Sequence, residues 1–196
     1  CFKALQYVSK RFFAPILVSC CETGETATRP CVTLEQEVYP YETKAQFAIT
    51  NDTLRTSSGM VSWRLCKNDG SVLRSGKFEV EVKPLSVTIL DELKFSDVDI
   101  ENNYLWYEYS DCNYGGSVIF TAPKHYHFID PELSVSRNGN TISVTAKNYA
   151  QMVELYSPTE NFVLSDNFFD MESGTRTVEI LEGNPRDILV RSVFDI

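Results

Sequence analysis

The chain has 196 residues, a length that suffices for two small β-domains. Hydrophobic residues make up 43% and charged residues 23%, which is typical of a folded protein rather than a disordered one. The net charge of −9 argues against nucleic-acid binding, which requires a basic surface, and against attachment to an anionic membrane. We interpret the acidity as a contribution to solubility. The longest apolar run, residues 14–21, is too short to span a bilayer.

A helix is predicted at the start of the chain, over residues 2–13. Apolar residues recur there at spacings of three, three and four, which places them on one side of a helix: Phe2, Leu5, Val8 and Phe12. Pro15 is expected to end the helix, because its ring disfavours the α conformation of the preceding residue. A helix this short is marginal alone and needs a packing partner.

From residue 16 onward apolar and polar residues alternate, which is the pattern of half-buried strands. Strands are predicted at residues 16–19, 32–38, 44–50, 61–66, 78–82, 85–89, 104–109 and 118–120. Between two of them lies Asn68-Asp69-Gly70, a hairpin signal, because glycine tolerates the positive φ of a tight turn. This succession of short strands and turns predicts an antiparallel sandwich over residues 14–122.

A connector is predicted at residues 123–131, which begin and end with a proline. Residues 132–196 beyond it are predicted to form a smaller sandwich. Its clearest feature is the hairpin turn Arg137-Asn-Gly-Asn140. Further strands are predicted at residues 152–156, 162–164, 175–181 and 188–194. A unit of about 65 residues is marginal alone and is expected to lean on its neighbour.

Cysteines occupy positions 1, 20, 21, 31, 66 and 112 and form no Cys-x-x-Cys pair, so a structural zinc site is not expected. On a strand, Cys20 and Cys21 would face opposite sides, so that one could lie in the core and the other at the surface. We interpret most of the cysteines as buried apolar residues in a reducing compartment and expect a cytoplasmic location. A Cys21–Cys31 disulfide remains an open alternative.

Four stretches resemble the C-terminal region of glycoside hydrolase family 2 β-mannosidases. Residues 4–19 look like the last helix of the catalytic barrel running into the next domain. Gln46-Phe-Ala-Ile-Thr-Asn-Asp-Thr53 is similar to a strand end of the immunoglobulin-like domain that follows the barrel. Residues 122–133 resemble the connector between domains, and Ser165-Asp-Asn-Phe-Phe-Asp-Met171 resembles the strand near the C-terminus. Their order and spacing strengthen the match.

The resemblance implies an all-β fold: two tandem immunoglobulin-like β-sandwiches, preceded over residues 1–13 by a short helix left over from a catalytic barrel. It also implies a parent enzyme that hydrolyses terminal β-mannosides. A retaining glycosidase needs two carboxylates about 5 Å apart. In this family the acid/base glutamate follows an asparagine, and the sequence contains neither an Asn-Glu dipeptide nor the βα alternation of a barrel. The chain is therefore expected to be non-catalytic, to need no cofactor, and to pack on the barrel of the same polypeptide.

Aromatic side chains are the candidates for contact with an oligosaccharide, because sugars stack their apolar faces on exposed rings. In the run 104–109, alternate positions separate Tyr104 and Trp106 from Leu105, Tyr107 and Tyr109. One set is expected to face the core and the other to be partly exposed. Tyr104 and Trp106 are the candidate carbohydrate contacts. The other tryptophan, at position 63, lies in an apolar alternation that is typical of the core.

His125-Tyr126-His127 is a weak candidate for a metal site, with Asp130 as a third ligand, and we expect no metal there. The favoured interpretation is that His125, Tyr126 and Phe128 pack between the two domains. Residues 51–53 match the N-glycosylation sequence Asn-x-Thr, a match close to chance expectation at this chain length.

Three alternatives stay open for the function. A carbohydrate-binding module would bind mannan or manno-oligosaccharides in a saturable way. A cell-surface adhesion or protein-interaction module would use the same tandem sandwiches, because a fold alone does not define a function. The parent enzyme could also have a sister family 2 activity, that of a β-galactosidase or a β-glucuronidase.

Overall fold

The computed structural model describes residues 3–23, 42–112 and 114–196. In this part of the chain one α-helix precedes fifteen strands, and two 3-10 turns lie at Pro123–His125 and Val193–Asp195. The helix is α1, Ala4–Phe12. The earlier strands are β1 Ile16–Thr23, β2 Thr43–Asn51, β3 Ser57–Lys67, β4 Val72–Val82, β5 Ser86–Ile89, β6 Leu93–Phe95, β7 Asn103–Tyr109 and β8 Gly116–Ile119. The later strands are β9 Ser134–Asn138, β10 Thr141–Ala146, β11 Ala150–Tyr156, β12 Val163–Leu164, β13 Phe169–Met171, β14 Gly174–Glu182 and β15 Leu189–Arg191.

These elements form two compact units. The first sandwich comprises Pro15–Lys67 and Val72–His127. The helix–sandwich unit comprises Cys1–Ala14, Asn68–Ser71 and Phe128–Ile196, so that α1 groups with the last third of the chain and not with the strand that follows it. In the described residues no helix has the length and apolar character needed to cross a membrane.

The first sandwich consists of two antiparallel sheets with a shared core. One sheet has the order β1-β2-β5, with β6 also paired to β2, and the other has the order β4-β3-β7-β8. Strict alternation along β2 buries Phe47 and Ile49 completely. Trp63 of β3 is 6% exposed and meets Phe95 edge to face at 6.0 Å, which confirms its assignment to the core. The all-β prediction is therefore confirmed.

The helix–sandwich unit has sheets of order β12-β14-β10-β9 and β13-β11-β15. Ile142 and Val144 of β10 are fully buried and pack with Val153 and Leu164 in one core. Gly139 has φ +61° in the turn between β9 and β10, as the predicted hairpin requires. The strand predicted at residues 32–38 lies outside the described residues. The three-residue strand β6 is not predicted by the sequence, whereas β13 lies within residues 165–171, which resemble the strand near the C-terminus.

Asn51 is a polar cross-link inside the first sandwich. Its side chain is completely buried at the end of β2, and Nδ2 donates to the carbonyls of Arg55, Val82 and Lys83 at 2.8, 3.1 and 3.2 Å. Its Oδ1 accepts from the backbone N–H and the hydroxyl of Thr53 at 3.0 and 2.7 Å. Because Val82 ends β4, this one amide joins the two sheets. The Asn-x-Thr match at residues 51–53 is thus a structural motif, and its amide is inaccessible to a glycosyl donor in the folded chain.

The two adjacent cysteines face opposite sides of β1. Cys20 lies opposite Phe47 and packs against the core, whereas Cys21 is exposed. Burial, reinforced by nearby Glu22, raises the pKa of the Cys20 thiol to about 12. Cys31 lies outside the described residues, so the disulfide alternative stays open, and the cytoplasmic location stays a prediction.

Replacement of Asn51 by Ala is expected to lower the free energy of unfolding of the first sandwich by about 2–4 kcal/mol, because buried carbonyls lose their donor. Hydrogen exchange of amides in β2 and β4 under increasing urea measures this loss. Leu54→Ala, at a side chain that is 86% exposed, is the control and should change stability by less than about 0.5 kcal/mol. Equal effects of the two substitutions would contradict the cross-link.

Candidate functional site

The candidate carbohydrate contacts lie on the outer face of the β4-β3-β7-β8 sheet. Leu105 and Tyr109 of β7 are in the core with Tyr107 packed against it, so the alternation correctly separated the two sets. Tyr104 belongs to the other set but is fully buried, and therefore presents no ring face to a sugar. Trp106 is partly exposed.

Polar groups surround Trp106. It lies directly opposite Arg64 of β3 and Ser117 of β8. The Arg64 guanidinium is 3.7 Å from the carboxylate of Glu108, the next residue on the same face of β7. A ring beside a cation, a carboxylate and a hydroxyl offers both stacking and hydrogen bonding, which are the interactions a sugar uses. Carbohydrate contact at Trp106 stays a prediction.

Titration with manno-oligosaccharides tests this surface. If Trp106 is a contact, the ligand will change tryptophan fluorescence in a saturable way, and Trp106→Ala will abolish the change while the circular dichroism spectrum is retained. Trp63 is buried and reports on the core in both proteins. A saturable signal that survives Trp106→Ala would place any sugar site elsewhere.

The two histidines of the predicted connector lie at the surface. His125 and His127 are both exposed and flank Tyr126, which is 5% exposed and whose pKa is raised by burial. His127 contacts Asn102 through Nδ1 at 3.1 Å, with Glu101 4.0 Å from Nε2. Within the described residues no three potential ligands come together around a metal position. Phe128 stacks on Tyr149 within the helix–sandwich unit, and packing of His125, Tyr126 and Phe128 between the two domains stays a prediction.

A polar cluster connects α1 to the turn that follows β12. Asn167 first shapes this turn, since its side-chain amide accepts from the N–H of Leu155 and donates to the Leu155 carbonyl, as a neighbouring strand would. The Asp166 carboxylate forms an ion pair with Arg11 through Oδ1 and another with Arg176 through Oδ2, each with an N–O distance of 2.7 Å. We call Arg11, Asp166 and Arg176 the Asp166 cluster.

Both arginines of the Asp166 cluster make further contacts. Arg11 also donates to the carbonyls of Asn167 and Phe168 at 3.2 and 2.6 Å. The guanidinium of Arg176 lies 4.2 Å from the centre of the Phe169 ring. Burial lowers the pKa of Arg176, while Asp166 acts in the opposite direction. The side chains of Arg11 and Asp166 are only 17% and 14% exposed, so their interaction is shielded from solvent.

Tyr7 provides the apolar part of the same attachment. It is 4% exposed, belongs to the core of the helix–sandwich unit, and its hydroxyl accepts from the N–H of Leu164 at 3.2 Å. Burial raises the pKa of this hydroxyl. Lys10 adds a hydrogen bond from Nζ to the Ser165 carbonyl at 2.9 Å. The apolar periodicity did not predict this face of α1, because Tyr7 and Arg11 carry polar groups and are not counted as apolar residues.

Two members of the predicted apolar stripe of α1, Leu5 and Phe12, are mostly exposed instead. Leu5 is 73% exposed and Phe12 is 65% exposed, and the adjacent Phe13 is 86% exposed. A second exposed apolar face lies on β5, where Val87 and Ile89 are 55% and 65% exposed. The chain thus carries apolar side chains outside both of its cores.

Removal of the Arg11 side chain is expected to destabilise the helix–sandwich unit by about 2–4 kcal/mol, because Asp166 and two carbonyls lose a donor. Hydrogen exchange of β14 amides under increasing denaturant gives the free energy of opening of this unit. Arg186→Ala, at an exposed arginine of the same unit, is the matched control. An Arg11→Ala value within about 0.5 kcal/mol of this control would show that the cluster contributes little.

Comparison with known proteins locates two related domains in the chain. The family described as Mannosidase Ig/CBM-like domain matches residues 43–125, and an Ig-fold domain family of mannosidases matches residues 128–196. No curated protein matches the sequence. Among solved structures, a β-D-mannosidase from Dictyoglomus thermophilum shares the fold, with a TM-score of 0.65 and 18% identity. The match covers 95% of this chain and 22% of that one, so the chain spans about a fifth of the length of this solved structure.

Proposed function

The chain belongs to the immunoglobulin-like accessory domains of mannosidases, and we propose that it is the non-catalytic part of a family 2 glycoside hydrolase of the β-mannosidase type, an enzyme that hydrolyses terminal β-mannosides. Its role in that enzyme is to pack on the catalytic barrel of the same polypeptide and to support it. The observation that carries the proposal is the tandem order of the two mannosidase domains, which together take up most of the chain.

The carboxylates of the chain favour a structural role over a catalytic one. A retaining glycosidase needs two carboxyl groups about 5 Å apart that both reach the scissile bond. Here the partly buried Asp166 has each oxygen bound by a guanidinium group, and Glu154 is paired with Arg191 at 2.6 Å. The sequence also lacks the Asn-Glu dipeptide expected of the family.

The exposed apolar faces suit a domain that is part of a larger assembly. Isolated exposed apolar residues are common on soluble proteins, but several on one element favour a contact surface. Val87 and Ile89 lie on one side of β5, and Leu5 and Phe12 lie on one side of α1. A catalytic domain joined to this chain would cover such faces.

An activity assay tests the proposal. The purified chain of 196 residues is expected to leave an aryl β-mannoside intact, because no catalytic pair is supplied, whereas the complete product of its gene is expected to hydrolyse it. Aryl β-galactoside and aryl β-glucuronide are the controls for the sister activities.

Hydrolysis by the 196-residue chain alone would overturn the accessory role. Hydrolysis of only the galactoside or the glucuronide by the complete product would keep the accessory role and replace the mannosidase assignment. A complete product inactive towards all three glycosides would contradict the proposed enzyme class.

A further inference from the structure

Strand β4 forms one edge of the β4-β3-β7-β8 sheet and, in the described residues, pairs only with β3. Within this part of the chain, side chains of other elements bind its backbone near the end of the strand, where Thr88 donates to the Glu81 carbonyl and Asn51 to the Val82 carbonyl. Residues 74–80 of β4 therefore present backbone N–H and C=O groups to which another strand can add.

The free edge of β4 is long and regular. β4 has 11 residues, whereas β8 at the other edge of the sheet has 4. Natural proteins protect an exposed edge by keeping the strand short, by a proline or by a bulge. Residues 74–82 contain no proline, and their register with β3 is unbroken. The protection that β4 does carry consists of charged side chains.

Lys77 and Glu79 are the charged side chains in the middle of this edge. Both are exposed on the outer face of the sheet, opposite Ser62 and Met60 of β3. Within the described residues neither of them takes part in an ion pair. A strand that places like charges opposite them is rejected, whereas a strand that places opposite charges there is favoured. The charges of β4 therefore select a partner strand.

A second copy of β4 is such a strand. A two-fold axis perpendicular to the sheet makes the two strands antiparallel, and residues directly opposite each other then lie on the same face. With the axis at Phe78, Lys77 of each copy lies opposite the partner's Glu79, so that two pairs of opposite charge form. With the axis at residue 77 or 79, two lysines or two glutamates would meet. The charge pattern thus favours the register centred on Phe78.

We propose that β4 is a dimerisation edge, along which two copies of the chain join their β4-β3-β7-β8 sheets into one continuous antiparallel sheet centred on Phe78. Residues 74–82 of the two copies overlap in this register. One strand edge is a small interface, so the dissociation constant is expected to be on the order of 10–100 μM. The dimer does not rest on the proposed function, because it involves no substrate.

Charge reversal combined with analytical ultracentrifugation tests the dimer. The 196-residue chain is expected to pass from monomer to dimer between about 5 and 500 μM. Lys77→Glu and Glu79→Lys are each expected to weaken association about tenfold, because each converts both pairs of opposite charge into pairs of like charge. The double variant restores the pairs and is expected to return the dissociation constant to within about threefold of its original value.

Two controls separate this pairing from other effects. Glu79→Lys reduces the net negative charge, so a loss of association in this variant does not come from general repulsion. Glu81→Lys is the matched control, because Glu81 lies opposite the partner's Ser75, and it is expected to change the dissociation constant less than about threefold. All three side chains are exposed, so circular dichroism melting curves should be unchanged.

Four outcomes would overturn the proposal. The chain could stay monomeric over the whole concentration range, or form a dimer that neither single reversal weakens. Glu81→Lys could weaken association as strongly as Lys77→Glu, which would indicate the register centred on residue 79. The 196-residue chain could dimerise while the complete gene product stays monomeric, which would show that another domain covers the edge. None of these measurements involves glycoside hydrolysis, so a failed mannosidase assignment would leave the dimer in place.

Discussion

Asp166 sits between two guanidinium groups, and the organisation of the chain depends on this arrangement. Arg11 lies on α1 and Arg176 on β14, with 164 residues of sequence between them, and one carboxylate binds both. A largely buried carboxylate is stable only when its oxygens are paired, so the turn at residue 166 and the helix at residue 11 have to be in place together. The first sandwich thus lies in sequence between two parts of one compact unit.

In two of the four stretches that carry the family resemblance, an asparagine side chain binds backbone groups. Asn51 closes the end of β2 by binding three carbonyls and one N–H, and Asn167 binds both backbone groups of Leu155. In each case an asparagine side chain supplies the donor and the acceptor that a neighbouring strand would otherwise provide. A short motif of this kind is specific because the amide fits only one arrangement of the surrounding backbone.

Periodicity in the sequence predicted most of the sheet structure, because a strand with one buried face must alternate. It gave the buried positions of β2 and the two hairpins with glycine at positive φ. It did not find β6, and β13 lies in a stretch that was identified by the family resemblance and not by its period. In α1 it identified residues that share a side but not the side that is buried: the apolar stripe with Leu5 is exposed, and Tyr7 is in the core. Periodicity identifies apolar residues that share one side of a helix. Which side is buried depends on a packing partner that lies more than 150 residues away in sequence.

The same limit applies to the candidate sugar contacts. Alternation correctly separated Tyr104 and Trp106 from the core-facing residues of β7, yet only the fold shows that Tyr104 is covered and Trp106 is accessible.

For the carboxylates, the fold adds a chemical argument that composition could not give. An acid/base group must exchange a proton with a substrate, so at least one of its oxygens has to be open to that substrate. In the Asp166 cluster both oxygens bind arginine, and this carboxylate therefore holds the helix on the sandwich.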